Sequence, residues 1–518
     1  MPVIIDGNHL TIEEVNSVAR ENATVQLSQK AVQSIGRSNQ HLRQAALGNN
    51  PVYGVNTGFG IFSEKKISNE QIEKLNRNLI ISHAVGTGKP LSMDCVKASM
   101  LVRANALAKG FSGVRLNLIE TILNMVNHDV IPVVSSQGSL GSSGDLCLLA
   151  EMALVISKND DDLIQESGIA NYRGQQISGK EAMNLAGIER IVLNQKEGLA
   201  LINGATFSAA IMALSVKDSE FLCNLADINA ALALEALCGR SEAYNPKLHQ
   251  ARGLKGQILS ANHIFRIIEG SSFIDSHNHV QDAYSLRCAP QVHGAARDTL
   301  DFVKGIIESE INAATDNPLI FGPNQIISGG NFHGEPVGMV SDFLKIAIAE
   351  LGAISERRIF RLMDANLSNG LPAMLVDDHD QAGLNSGLMM LQYTAAALVL
   401  ENQALCTPDS VHSLPTSANQ EDHNANAFIS VMHTRNVVEN TLKILGIELF
   451  CNHTAMKIRK KQSLSLDFGA KSQMMQDLLK EICSTKGGDQ LWRGYLEALY
   501  TQLTMPSFQN EINKLIIQ

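Results

Sequence analysis

A mainly α fold is what this 518-residue sequence predicts, and three observations carry that expectation. From Pro336 to Met363 apolar residues recur at spacings of three and four, including Val340, Phe343, Leu344, Ala347, Leu351, Ile354 and Ile359, long enough for a helix spanning a bundle. Two more long helical runs follow, Leu384 to Leu405 and Ala425 to Phe450. No repeated alternation of strand and helix patterns is found, which argues against a doubly wound sheet. The expected organisation is a mixed α/β N-terminal region over residues 1–200, carrying small β elements, and a long helical bundle domain over 201–518, with no Pro-rich linker between them.

In chain order, Val3 to Leu10 alternates around Asp6-Gly7, a hairpin signal, and Thr11-Ile12-Glu13-Glu14 has the form of a capping box opening a helix. Small β elements are expected again at Tyr172-Arg173-Gly174-Gln175 and over Leu319 to Ser328 around Gly322-Pro323-Asn324. The uncharged run from Gly198 to Val216 approaches membrane-spanning length, but Asn203, Thr206, Ser208 and Ser215 make it the start of a buried helix instead.

Composition excludes several classes of function. Hydrophobic residues make up 45% and charged residues 18%, which suits a soluble enzyme with large buried or subunit surfaces. The net charge of -10, without a basic run or basic amphipathic helix, disfavours nucleic-acid and membrane partners. Eight cysteines lie scattered without CxxC pairs and read as reduced thiols of a cytoplasmic protein rather than a disulfide framework or zinc site. The N-terminal stretch Met1 to Gly7 has no basic region or cleavage-type site, so no export signal is expected.

The chain is organised around Gly138-Ser139-Leu140-Gly141-Ser142-Ser143-Gly144-Asp145. Val130 to Val134 upstream reads as extended, and Leu146, Leu149, Met152, Ala153 and Ile156 downstream recur at helical spacing, so small residues fill a strand-to-helix turn with Asp145 as its cap. Three readings compete. One is a capped helix start without chemistry. A second is a phosphate cradle, for which neither the terminal Lys nor the dinucleotide fingerprint is present. The third is autocatalytic: attack of the Gly144 nitrogen on the Ser142 carbonyl carbon closes a five-membered ring, and dehydration of Ser143 leaves an exocyclic methylidene, an electrophile.

Other polar constellations admit plain and chemical readings alike. Tyr53 stands in the glycine-rich segment Tyr53 to Gly60, where a phenol either packs or acts as a base. His83 lies in Ser82-His83-Ala84-Val85-Gly86, and Asn203 in Leu201-Ile202-Asn203-Gly204, where capping and substrate binding both suit an amide. Gln281, Tyr284 and Arg287 are three apart, so a helix would set them on one face, and Arg suits a bidentate clamp on a carboxylate. His277-Asn278-His279 lacks a third ligand at metal spacing, so no metal is expected. Glu421, between Gln420 and Asp422, is ordinarily a solvated loop residue.

Taken jointly, at least seven ordered motifs from Tyr53 to beyond Glu421 resemble the aromatic amino-acid ammonia-lyase family. Its members form 4-methylidene-imidazole-5-one (MIO) from a Ser-Gly pair preceded by a small residue, here Ser142-Ser143-Gly144. Ala is usual at the first position, Pro where Leu148 stands and often His where Glu151 stands. The resemblance implies that Tyr53 removes the β-proton and that His83 selects the substrate ring. It assigns Asn203 to the amino-acid end of the substrate, although Ala205-Thr206 departs from the usual continuation. Arg287 matches the carboxylate anchor and Tyr284 a residue lining the electrophile, with Gln281 beside them. Phe332, in Gly330-Asn331-Phe332-His333, matches a residue packed on the MIO, and Glu421 is the form found in histidine-specific members, where phenylalanine and tyrosine enzymes usually carry Gln.

The implied fold is that of the fumarase/aspartase-like superfamily, and the implied reaction is loss of ammonia from L-histidine to give trans-urocanate. MIO is the only cofactor implied, with no metal, nucleotide or pyridoxal, and family members are homotetramers whose active sites draw on three chains. Two alternatives stay open: a tyrosine or phenylalanine lyase or aminomutase of the same family, and a MIO-less lyase of the fumarase/aspartase type. In the latter the Gly-Ser-Ser loop continues into Met-Pro and a Lys, whereas here Gly144-Asp145-Leu146 follows.

Overall fold

A computed structural model of the chain describes residues 2–46, 52–58, 65, 67–485 and 487–517, and the fold is mainly α. The longest helices are Thr206–Ala236, Glu335–Met363 and Ala427–Gln462. The run expected from Leu384 becomes helical only at Met389, because Gly383 and Gly387 take left-handed backbone at φ +91° and +61°. The last long helix starts after Asn426, itself left-handed, and continues past Phe450 with Ala455, Met456 and Ile458 still buried.

The N-terminal segment differs from its expectation. Val3–Ile5 forms no hairpin about Asp6-Gly7; it pairs in parallel with Val25–Leu27, and the helix Ile12–Glu21 makes the crossover. Asp6 Oδ1 accepts from the amides of Asn8 and His9, turning the chain away from the strand. The capping box then stops it: Thr11 Oγ1 accepts from Glu14 N, and Glu14 Oε2 accepts from Thr11 N at 2.9 Å. The other two β elements are antiparallel hairpins, Ile169–Tyr172 with Gln175–Ser178 and Leu319–Gly322 with Gln325–Ile327. In the first, Arg173 and Gly174 both have positive φ, the backbone that a two-residue turn between twisted strands requires.

By contacts the chain divides into two units. The first comprises Met1–Lys217, Val303–Asp342 and Pro408–Met432, so three stretches grouped by sequence with the bundle, 201–217, 303–342 and 408–432, cluster with the 138–145 turn. At its centre the helix Met93–Ala108 is buried on every side, as a helix without a polar face must be, and packs on Ile12–Glu21 and Leu116–Asn127. A second layer joins Leu146–Ile156 to Ile72–His83 and Glu197–Ile202. That packing brings together the start of one helix and the ends of two others, at Asp145, His83 and Asn203.

The second unit comprises Asp218–Phe302, Phe343–Thr407 and His433–Gln518. Its interior holds buried charge: the Asp227 carboxylate meets His263, His293 and Arg297 at 3.0, 2.8 and 2.6 Å, and Arg358 pairs with Glu448. Such groups are tolerated because each is paired. Phe302, Phe343 and Ile346 line an exposed apolar groove in this unit. Among the described residues no helix is long and apolar enough to cross a membrane. The uncharged run from Gly198 is split at Asn203-Gly204 into two buried helices, with Gly204 at φ +109°.

Candidate active site

The strand Ser135–Gln137 delivers the chain into the 138–145 turn, and Gly138, Gly141 and Gly144 all take positive φ. Gly144 is wedged. Gly204 N–H donates to the Ser143 carbonyl at 3.3 Å and Asp145 N–H donates to the Gly204 carbonyl at 3.0 Å, so the residues on both sides of Gly144 are tied to Gly204. A Cβ at position 144 would lie 2.1 Å from the Gly204 nitrogen, which only glycine avoids. Other segments close on the same turn: the Ala425 amide donates to Ser142 Oγ at 2.8 Å, and a Cβ on Gly334 would meet the Gly141 carbonyl oxygen at 2.1 Å.

Asp145 precedes the helix Leu146–Ile156 without capping it through its side chain. Its carboxylate turns inward instead, accepting from Ser139 Oγ at 2.8 Å and from the amide and hydroxyl of Ser208 at 2.9 and 3.0 Å. Ser208 lies in the first turn of Thr206–Ala236, so the carboxylate satisfies an orphan amide of that helix. Burial pushes the Asp145 carboxyl up to about 6, against the pull of these hydrogen bonds. Leu148 packs wholly in the interior, and Glu151 ties the helix back to the entering strand by accepting from the Ser135 amide at 2.7 Å.

Ser142 and Ser143 line a cavity of about 1450 Å³. Tyr53, His83, Asn203, Phe332 and Glu421 line it too. Tyr53 sits in a tight turn where Asn56 Oδ1 accepts from Val52 N at 2.7 Å, seated on Leu199 through Gly54. Phe59 and Gly60 of the same segment lie outside the described residues. His83 ends its helix with Nδ1 against the Leu79 carbonyl at 2.8 Å, so the neutral ring donates there and leaves Nε2 as an acceptor. Burial lowers its pKa, while the Leu79 carbonyl and Glu421 oppose the shift. Glu421 closes a loop on Thr416, whose hydroxyl donates to Oε2 at 3.1 Å. Asn203, with its amide turned to satisfy both ends, donates to the Ser143 carbonyl at 2.6 Å and accepts from Asn317 N at 3.0 Å.

Gln281, Tyr284 and Arg287 belong to the second unit and are not among the residues lining this cavity. The expected shared helical face is also shorter. The helix spans only Tyr284–Arg287, because Asp282 accepts from Arg240 N at 2.7 Å and from His279 Nε2 at 2.8 Å, which keeps residues 279–283 out of helical structure and leaves Gln281 off the helix. Arg287 stacks its guanidinium 4.7 Å from the Tyr284 ring centroid, and its buried Nε has no hydrogen-bond partner among the described residues. No group of three His, Cys, Asp or Glu side chains among the described residues is arranged to hold a metal ion.

Two kinds of residue escaped the sequence. His333 and His423 line the cavity with stacked rings 6.0 Å apart, one and two residues beyond Phe332 and Glu421. Arg103 is fully buried behind Asn203, and its signal was there: a lone arginine within the apolar helix Met93–Ala108.

Residues 10–482 match the family described as aromatic amino acid lyase. The chain is 48% identical over 461 residues to the histidine ammonia-lyase of Caldanaerobacter subterraneus subsp. tengcongensis, with 88% of each chain covered. It superposes on the crystal structure of histidine ammonia-lyase from Trypanosoma cruzi with a TM-score of 0.90 at 34% identity, covering 100% of this chain and 96% of that one. The tyrosine aminomutase of Streptomyces globisporus matches with a TM-score of 0.92 at 31% identity, over 100% and 99% of the two chains.

Proposed function

The chain belongs to the aromatic amino acid lyase family, and on that premise we propose that it is a histidine ammonia-lyase, eliminating ammonia from L-histidine to give trans-urocanate. It is a carbon–nitrogen lyase. The observation that carries the substrate reading is that His83 and Glu421 line the same cavity as Ser142 and Ser143. Glu421 offers a carboxylate that can accept from an imidazole N–H, which a phenyl ring lacks, and His83 bounds the same cavity.

The residues of the turn fit a self-formed MIO. Gly144 is held where no side chain is tolerated, and the Ser143 carbonyl is gripped by two donors, from Gly204 and Asn203. When formed from Ser142, Ser143 and Gly144, the group supplies an electrophile that converts the substrate amine into a better leaving group. The other residues act around it. Tyr53 takes the β-proton, His83 and Glu421 hold the imidazole, Asn203 and Phe332 bound the reacting end, and a partly closed cavity strengthens each contact. Arg287 anchors the carboxylate, with Tyr284 and Gln281 beside it; these three are supplied by another copy in a homotetramer with shared sites. The apolar groove of Phe302, Phe343 and Ile346 supports such an assembly.

Urocanate, coumarate and cinnamate formation measured side by side test the proposal. Urocanate is expected to form far faster than either, and Glu421→Gln to cut it steeply, because a site built around a hydrogen bond discriminates strongly when the partner changes. Dominant coumarate or cinnamate overturns the substrate assignment. An intact mass equal to the encoded one, rather than lower by two waters, overturns the MIO.

A further inference from the structure

The peptide between Asn203 and Gly204 is hydrogen-bonded at both ends. On one side its carbonyl accepts from Arg103 Nη1, which also donates to Thr206 Oγ1 at 3.2 Å. On the other its N–H, on Gly204, donates to the Ser143 carbonyl. A planar amide transmits polarisation: a cation at the oxygen draws electron density from the nitrogen and makes the N–H a stronger donor. The sequence Arg103, Asn203 carbonyl, Gly204 N–H, Ser143 carbonyl is therefore a short polar chain that starts at a full positive charge and ends on the residue whose dehydration the proposed function requires.

Arg103 is poorly explained as a stabiliser. Its side chain is fully buried, Nε and Nη2 have no hydrogen-bond partner among the described residues, and the neighbouring carboxylate, Asp316, is already paired with Lys196. Burial lowers the guanidinium to about 10, with Asp316 opposing, so it stays charged at neutral pH. A buried cation without a carboxylate of its own is costly, and an apolar residue at this place in the helix would avoid that cost.

We propose that Arg103 is a positioning residue for maturation, polarising the Ser143 carbonyl through the Asn203–Gly204 peptide; this rests on the self-formed group proposed above. Dehydration of Ser143 breaks the Cα–H and Cβ–O bonds and forms a Cα=Cβ bond, with the proton and hydroxyl leaving together as water. The Cα–H lies next to the Ser143 carbonyl, so drawing electron density to that oxygen acidifies it. Ring closure, in which the Gly144 nitrogen bonds to the Ser142 carbonyl carbon and a second water leaves, also depends on Gly204 holding the turn in register.

The test follows intact mass over time after synthesis in the full-length wild type, Arg103→Met and Arg103→Lys, alongside thermal melting and the near-ultraviolet band of the matured chain. Soluble, folded Arg103→Met is expected to lose its two waters at least tenfold more slowly, with its band at shorter wavelength, and Arg103→Lys to fall between it and wild type, because a lysine keeps the charge but not the fork. A merely structural arginine would lower melting temperature while the folded fraction matured normally. Wild-type maturation rates in folded Arg103→Met overturn the proposal; if that variant does not fold, the same result in Arg103→Lys does so. A wild-type chain that never loses two waters overturns the reading beneath it instead, so the two failures are distinguishable.

Discussion

Tyr53 carries the only phenol lining the cavity among the described residues, and its backbone is pinned by bonds that do not involve its hydroxyl: Asn56 to Val52, and Gly54 against Leu199. Deleting that oxygen should leave the turn standing. Tyr53→Phe is therefore expected to keep the melting temperature and the two-water mass loss while losing at least 100-fold in turnover, the scale of a general base. Turnover within a few-fold of wild type would move the base elsewhere. Tyr53, Asn203 and Glu421 were singled out in the sequence only jointly, by the resemblance of their ordered motifs to one family, and all three line the cavity. Arg103 stands out in the sequence only as a lone arginine in an apolar helix, since its partner is a carbonyl one hundred positions away along the chain.

At the scale of elements, periodicity located the long helices, and the errors came where side chains outbid pattern. Asp6 and the Thr11–Glu14 box turned an apparent hairpin into a parallel crossover, and Asp145 capped a helix other than its own. Asp282 did the same to Gln281, holding it off a helix that spacing alone would have extended. The wedge at Gly144 gives the sharpest test. An alanine there must accept φ +109° and a Cβ 2.1 Å from the Gly204 nitrogen, so the 143–145 backbone has to part from Gly204. Gly144→Ala is expected to remain at its encoded mass and to melt at lower temperature than wild type. Loss of two waters at the normal rate would show that the contact with Gly204 is not needed for cyclisation.

For the whole molecule, two properties depend on groups far apart along the chain. If sites are shared between copies, Tyr53→Phe and Arg287→Ala are each expected to be nearly inactive alone, yet co-expression of the two should restore part of the turnover, since mixed assemblies contain some sites with both native residues. Co-expressed chains no more active than their parents would assign the whole set to one copy.

The second property is pH dependence of stability, and Glu235 contributes to its alkaline side, as does Glu310, which burial also pushes up to about 7. The Glu235 side chain is fully buried in the second unit, where the Gly469 amide donates to Oε1 at 2.7 Å, and burial pushes its carboxyl up to about 7 from the ordinary 4.5. A folded-state pKa above the unfolded one means that the folded chain binds the proton more tightly. The contribution is full below the unfolded value and is lost as pH rises through about 7, on the order of 3 kcal/mol in all. Asp145, raised to about 6, acts in the same direction at slightly lower pH. Asp227 acts oppositely: burial alone would raise it, but Arg297, His263 and His293 hold it well below the carboxylate range, so its contribution is present at neutral pH and is lost only in strong acid. Melting temperature should therefore fall as pH rises from about 4.5 to about 7 and level off above that. Glu235→Gln keeps an oxygen for the Gly469 amide and resembles the protonated acid, so it is expected to melt close to wild type at pH 5 and above it at pH 8. A variant whose melting temperature runs parallel to wild type across that interval would show that Glu235 does not carry the proton linkage.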